Sequence, residues 1–283
     1  MRSRSFLGLG PNGFHRVAWH EWGDPAAERV VVCVHGLTRN GHDFDTLAEA
    51  LAGDARIVCP DVVGRGDSDW LAVQEDYNYP QYVSDMVTLI AATGAREVDW
   101  VGTSMGGIIG MAIAAMPGAP IRRLVLNDIG PLVAKAGLDR IAGYVGLDPR
   151  FPDRETAVAM LVEGSSSFGP MTAGQRERFA EIGLMRHPDG SWGLNYDPRI
   201  AWSFRGLPQT DIDLWSYWEA IRCPVMVLRG ALSDLLLPET VRQMAETGPR
   251  ASVMEVPGVG HTPALMDEIQ VEAIRAFLSG DGR

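Results

Sequence analysis

Cysteine is scarce in this chain: 283 residues contain three, Cys33, Cys59 and Cys223. The odd number and the lack of paired spacing exclude a disulfide framework or a cysteine-ligated metal site. Each Cys lies in or beside an apolar run, as buried free thiols do. Positive charge is also short. Twenty-five Lys and Arg stand against 36 Asp and Glu, a formal net charge of −11, the wrong sign for gripping nucleic acid or an anionic bilayer. Long apolar runs are missing as well. The longest, Ile108 to Met116, stops at Pro117 and falls well short of the ~20 residues a membrane span needs. After Arg2 and Arg4, glycines at 8, 10 and 13 and Pro11 interrupt the chain before a signal-type apolar segment develops. The expectation is a cytoplasmic protein with no nucleic-acid or membrane partner and no bound metal; oligomeric state is left open.

What is present is ordinary globular composition, 46% hydrophobic and 22% charged, with ample length for a sizeable core. Short runs rich in Val, Ile and Leu occur at Val30–Val34, Arg56–Cys59, Val98–Val101, Ile121–Leu126, Pro224–Leu228 and Ser252–Val256. They read as strands buried on both faces. Helix-like stretches separate several of them, so the fold class is α/β: a mostly parallel central sheet with helices on both faces. Phe14–Trp22 alternates and suits an antiparallel edge. From Pro131 to Leu214 the rhythm stops, and helical pieces punctuated by Asp148-Pro149, Phe151-Pro152, Gly169-Pro170 and His187-Pro188 take over. The domain reading is a core of 1–130 and 215–283 with a helical cap inserted at 131–214; Trp202 within it and Trp215 at its border are candidates to line a substrate cavity.

Gly102-Thr103-Ser104-Met105-Gly106 follows one strand and opens a helix. A serine on so sharp a turn needs glycine two residues to either side, because a side chain there would strike the passing strand or helix. Ser104 is then held at the carboxyl end of the sheet, where open α/β folds bind ligands. A serine hydroxyl needs a base to take its proton, and His261, in the glycine-rich loop after the last strand, is the histidine best placed to serve. His15, His20, His42 and His187 lie on the edge segment, at a helix start or in the insertion. Two carboxylates follow strands on that side, Asp234 and Asp128. Asp234 is preferred as the partner of His261 because it keeps the chain order Ser, Asp, His and its loop is a turn, whereas Asp128 is expected to anchor the root of the insertion. An oxyanion site would use the backbone amides of Met105, directly after the serine, and Leu37, in His35-Gly36-Leu37-Thr38-Arg39. His35 reads as a brace of that loop. Arg39 is a candidate for a substrate carboxylate or a second brace.

With these segments in order, and with Asp61-Val62-Val63-Gly64-Arg65-Gly66-Asp67-Ser68-Asp69 after the second inner strand, the chain resembles the α/β-hydrolase-fold proteins of the capped esterase, lactonase and carbon–carbon hydrolase type. The resemblance spans almost the whole chain and implies a cofactor-independent serine hydrolase acting on a small-molecule ester. Ser104 sets it apart from the epoxide hydrolase and haloalkane dehalogenase branches, which carry aspartate at the elbow. The implied function is a carboxylesterase for small to medium uncharged esters. A carbon–carbon hydrolase or lactonase would use the same residues, although the His35-Gly36-Leu37-Thr38 loop lacks the glycine run usual in the former. A ligand receptor with weak turnover is the alternative outside catalysis.

Overall fold

The computed structural model describes residues 1–206 and 210–280; the expected insertion, 131–214, therefore includes three positions, 207–209, outside the described residues. The chain opens with a hairpin, β1 (Arg2–Gly10) and β2 (Gly13–Trp22), followed by β3 (Val30–Val34), α1 (Asp45–Leu51), β4 (Arg56–Pro60), α2 (Tyr79–Thr93), β5 (Val98–Thr103), α3 (Met105–Ala114) and β6 (Ile121–Asn127). Between β6 and the next core strand lie β7 (Leu132–Val133), α4 (Lys135–Ala142), α5 (Arg154–Gly164), α6 (Ala173–Ile182), β8 (Leu184–Arg186), β9 (Trp192–Leu194) and β10 (Ile212–Asp213). The chain closes with α7 (Trp215–Ala220), β11 (Val225–Gly230), α8 (Pro238–Glu246), β12 (Ser252–Val256) and α9 (Glu268–Ser279).

Eight strands form one sheet in the order β1-β2-β4-β3-β5-β6-β11-β12. β1 and β2 run antiparallel, as do β2 and β4, while the six strands from β4 to β12 pair in parallel. The sequence placed Phe14–Trp22 at the edge; β1 occupies that position instead. Its glycines and arginines hide the strand pattern, which the tight Gly10↔Gly13 register completes. The insertion also contains more than helices, since β8 pairs with β9 and β10 with β7.

Side-chain alternation along β3 explains how the sheet is covered. Val30, Val32 and Val34 enter one core layer with Met86 and Leu89 of α2 and Ile109 and Ile113 of α3. Val31 and Cys33 enter the opposite layer with Leu47 and Leu51 of α1 and Ile274 and Phe277 of α9. Strands buried on both sides need apolar residues at every position rather than every second one, which is why β3 reads as a continuous Val-rich run. Among the described residues, no helix is long and apolar enough to cross a membrane. Cys33 and Cys59 are buried free thiols and Cys223 is half-buried and free; burial pushes the Cys223 thiol up to about 11.

Candidate active site

β5 ends at Thr103 and α3 begins at Met105, so Ser104 carries the whole change of direction. Its backbone is forced to φ 49° and ψ −112°, a region that non-glycine residues rarely occupy. A Cβ on Gly102 would lie 2.4 Å from the Gly106 carbonyl oxygen, and one on Gly106 would lie 2.0 Å from that of Val34. The strand, the elbow and the helix start can thus touch only where side chains are missing. The Ser104 amide donates to the Asn127 carbonyl at 3.0 Å, tying the elbow to the end of β6.

His261 approaches from the loop after β12, and its Nε2 lies 3.0 Å from Ser104 Oγ. That loop is fastened on both sides: Gly260 N–H donates to the Ser167 carbonyl at 3.0 Å, and Ala264 N–H to that of Phe168 at 2.9 Å. Asn127 Nδ2 reaches both Thr103 Oγ1 (3.0 Å) and the Pro263 carbonyl (2.9 Å), joining the serine and histidine segments through one side chain.

The carboxylate behind His261 is Asp128, which corrects the sequence preference for Asp234. His261 Nδ1 lies 2.6 Å from Asp128 Oδ2, so that nitrogen donates and Nε2 is left to accept the serine proton. Asp128 is 0% exposed, and a buried carboxylate requires donors on its remaining lone pairs. Gly230 N–H supplies one to Oδ1 at 2.8 Å and Ser233 O–H another to Oδ2 at 2.6 Å. Asp234 is one residue too far round the same turn. Its side chain, 40% exposed, faces outward into a bidentate pair with Arg140 at 2.6 and 2.8 Å. The hydrogen bonds from Arg140 hold its carboxyl below the usual carboxylate range.

Leu37 lines the same cavity as Ser104, and Met105 follows the serine directly. The Gly36-to-Arg39 turn closes with Arg39 N–H donating to the Gly36 carbonyl at 3.2 Å, and a Cβ on Gly36 would stand only 3.9 Å from Ser104 Cβ. Met105 begins α3, where helical amides have no carbonyl one turn back to bond. Both residues are steadied by Arg65, a role the sequence reading did not assign. Fully buried, Arg65 donates from Nε to the Leu37 carbonyl at 2.8 Å and from Nη2 toward Met105 Sδ at 3.7 Å. The signal was in plain view: an arginine between two glycines, Gly64 at φ 85° and Gly66 at φ 54°, in a loop turned tightly enough to send its side chain inward. His35 is a brace, as read. Its Nδ1–H donates to the Gly36 carbonyl at 2.6 Å while Nε2 accepts from Val62 N–H at 2.9 Å, and burial lowers its pKa to about 4.

Above Ser104 and His261 opens a cavity of about 470 Å³ whose other wall comes from the inserted elements, including Ile141, Tyr144, Leu161, Phe168, Phe179 and Tyr196. Trp202 and Trp215 are not among its lining residues, a second correction. Ile200 is the fully buried residue of the 198–204 turn, so Trp202, two positions on, points elsewhere and stacks with Arg205 at 4.8 Å. Trp215 starts α7 and packs, half-buried, against the core layer that contains α3 rather than into the cavity. Arg39 does line the cavity, but its guanidinium is paired with Asp43 at 2.6 Å and packed 3.6 Å over the Phe179 ring, so it acts as a brace. His20, Asp61 and Asp67 place one potential metal ligand each within 4.8 Å of one another. Asp61, however, already accepts the Gly41 and Asp67 amides at 2.7 and 2.8 Å, which makes this cluster a loop fastening.

These features agree with the comparisons. The family model described as "Alpha/beta hydrolase family" matches residues 31–273. The chain is 51% identical over 280 residues to a 3-hydroxybutyrate-oligomer hydrolase of Cupriavidus necator, covering 96% of each chain. It is 28% identical to an esterase of Mycobacterium tuberculosis, over 79% of this chain and 72% of that one. Its fold matches the crystal structure of an alpha/beta hydrolase from Novosphingobium aromaticivorans with a TM-score of 0.87, 35% identity and 98% coverage of both chains. With the serine elbow, the histidine loop and the eight-stranded sheet all in place, the chain belongs to the alpha/beta hydrolase family.

Proposed function

We propose that this protein is a serine esterase that cleaves short linear oligomers of 3-hydroxybutyrate, with Ser104 as nucleophile, His261 as general base and acid, and Asp128 as the orienting carboxylate. The observation that carries the chemistry is the unbroken row from Ser104 Oγ to His261 Nε2 at 3.0 Å and from His261 Nδ1 to Asp128 Oδ2 at 2.6 Å. Support for the substrate comes from the Cupriavidus necator relative, 51% identical over nearly the full length of both chains.

The reaction follows from the positions of the protons. Asp128 accepts a hydrogen bond from Nδ1–H, fixing the tautomer in which Nε2 can take the hydroxyl proton of Ser104 as Oγ attacks the ester carbonyl. The resulting imidazolium is stabilised by the buried carboxylate at no reorganisation cost, since its Gly230 and Ser233 donors are already in place. Negative charge on the carbonyl oxygen meets the Leu37 and Met105 amides. His261 then returns the proton to the departing alcohol, and water, activated by the same imidazole, releases the acid from Ser104. The insertion serves as a cap whose apolar wall suits the methyl and methylene groups of an aliphatic polyester.

The test is release of 3-hydroxybutyrate from its linear dimer and trimer, alongside hydrolysis of p-nitrophenyl butyrate, by wild type and Ser104→Ala. Wild type should cleave all three and Ser104→Ala should lose on the order of 10⁶ in kcat. A Ser104→Ala protein retaining a tenth of wild-type activity would remove serine as nucleophile.

A further inference from the structure

A linear 3-hydroxybutyrate oligomer has one free carboxylate, and the polymer's direction fixes where it lies. Each ester joins the acyl carbon of one unit to the alcohol oxygen of the next, so for whichever bond is attacked the carboxylate belongs to the leaving alcohol. A hydrolase that selects the acid form needs a cation beside that part of its cavity.

Among the described residues, two arginines line the cavity, Arg39 and Arg140. Arg39 is committed: it and Asp43 both face the cavity, with side chains 16% and 17% exposed, and their charges cancel within its wall. Arg140 differs in each respect. Its partner Asp234 stands outside the lining, and the two side chains are 43% and 40% exposed. A solvated pair of this kind contributes little to stability, so exchanging one carboxylate for another costs little. Both Nε and Nη2 of Arg140 engage the two Asp234 oxygens at 2.6 and 2.8 Å, the two-pronged geometry by which arginine recognises a free carboxylate.

We propose that Arg140 is the specificity residue for the free-acid form of the substrate, releasing Asp234 to take the terminal carboxylate of the leaving alcohol. Asp234 is then an internal competitor that keeps the guanidinium oriented between turnovers. This assignment rests on the oligomer reading of the site. It extends that reading by fixing which chain end enters: the carboxyl end lies toward α4, and the hydroxyl end stays with the acyl group on Ser104.

The experiment measures how well the 3-hydroxybutyrate dimer acid and its methyl ester each compete with p-nitrophenyl butyrate, taking the acid-to-ester affinity ratio within each variant so that any general loss cancels. Wild type should favour the acid. Arg140→Gln should lower the ratio by about tenfold, as loss of a charge-assisted hydrogen bond does, and Arg140→Lys should recover part of it. Asp234→Asn should raise the ratio, because the competitor is gone while the cation remains. The two variants break the same ion pair, so a purely structural role predicts parallel losses on acid and ester in both, and that result would overturn the proposal. Release of 3-hydroxybutyrate by wild type is followed in parallel. An Arg140-dependent preference for the acid without release supports the carboxylate site and removes the oligomer reading. Release with a ratio indifferent to Arg140 leaves the oligomer reading standing and ends the proposal.

Discussion

The site shows how little freedom one buried side chain has once its neighbours are fixed. Asp128 sits at φ 54°, directly after β6, and its amide donates to the Leu228 carbonyl at 2.8 Å, so its carboxylate can only point across the top of β11. There it meets Gly230, Ser233 and His261. The chain order Ser, Asp, His does not discriminate, since both 128 and 234 fall between 104 and 261. What decides is burial with matched donors, a property of three dimensions. The His35 brace carries a separate consequence. With its pKa lowered by burial from 6.5 to about 4, the folded protein binds this proton less readily than the unfolded chain. The contribution is therefore complete above about pH 6.5 and declines as pH falls toward 4. It amounts to about 2 kcal/mol lost by pH 5. Urea unfolding at pH 7 and pH 5 should show this decline, and His35→Gln should lessen it; an unchanged pH slope in the variant would place the acid sensitivity elsewhere.

Among the elements, the parallel strands were the most legible, because burial on both faces leaves no room for a polar position. β3 and β12 match their sequence limits, Val30–Val34 and Ser252–Val256. β1 was missed for the opposite reason: an edge strand with one wet face can carry Arg2, Arg4 and two glycines without penalty. The glycine-flanked serine turn was legible because its sterics are local, and the places of Trp202 and Trp215 were not, because helix phase depends on packing. The wall that faces the site uses Phe168 and Phe179, whose rings lie 5.1 Å apart, with Tyr196 and Leu161. Replacing Phe179 with Ala should therefore shift preference among p-nitrophenyl esters from hexanoate toward acetate by about tenfold in relative kcat/KM, as loss of an apolar contact larger than a methylene implies. Trp202→Ala should leave the preference within about twofold. A change of chain-length profile in Trp202→Ala equal to that of Phe179→Ala would contradict the assigned wall.

At the scale of the whole molecule, the sheet and the insertion meet through contacts of unequal strength. On one side Asp197, fully buried, accepts from Tyr77 O–H at 2.6 Å, and its own amide donates to the Gly64 carbonyl at 2.8 Å. On the other side α4 meets the core loop through the half-exposed Arg140–Asp234 pair. The anchored side holds the Arg65 loop, and through it the Leu37 and Met105 positions; on the half-exposed side Arg140 lines the cavity. The proposed catalysis depends on which carboxylate serves His261, and the most direct test is kcat for p-nitrophenyl butyrate in Asp128→Asn and Asp234→Asn. Asp128→Asn should fall on the order of 10⁴, because an amide favours the wrong imidazole tautomer, while Asp234→Asn should fall less than about tenfold. A collapse in Asp234→Asn with activity largely kept in Asp128→Asn would contradict the hydrogen-bonded row on which the proposed mechanism stands.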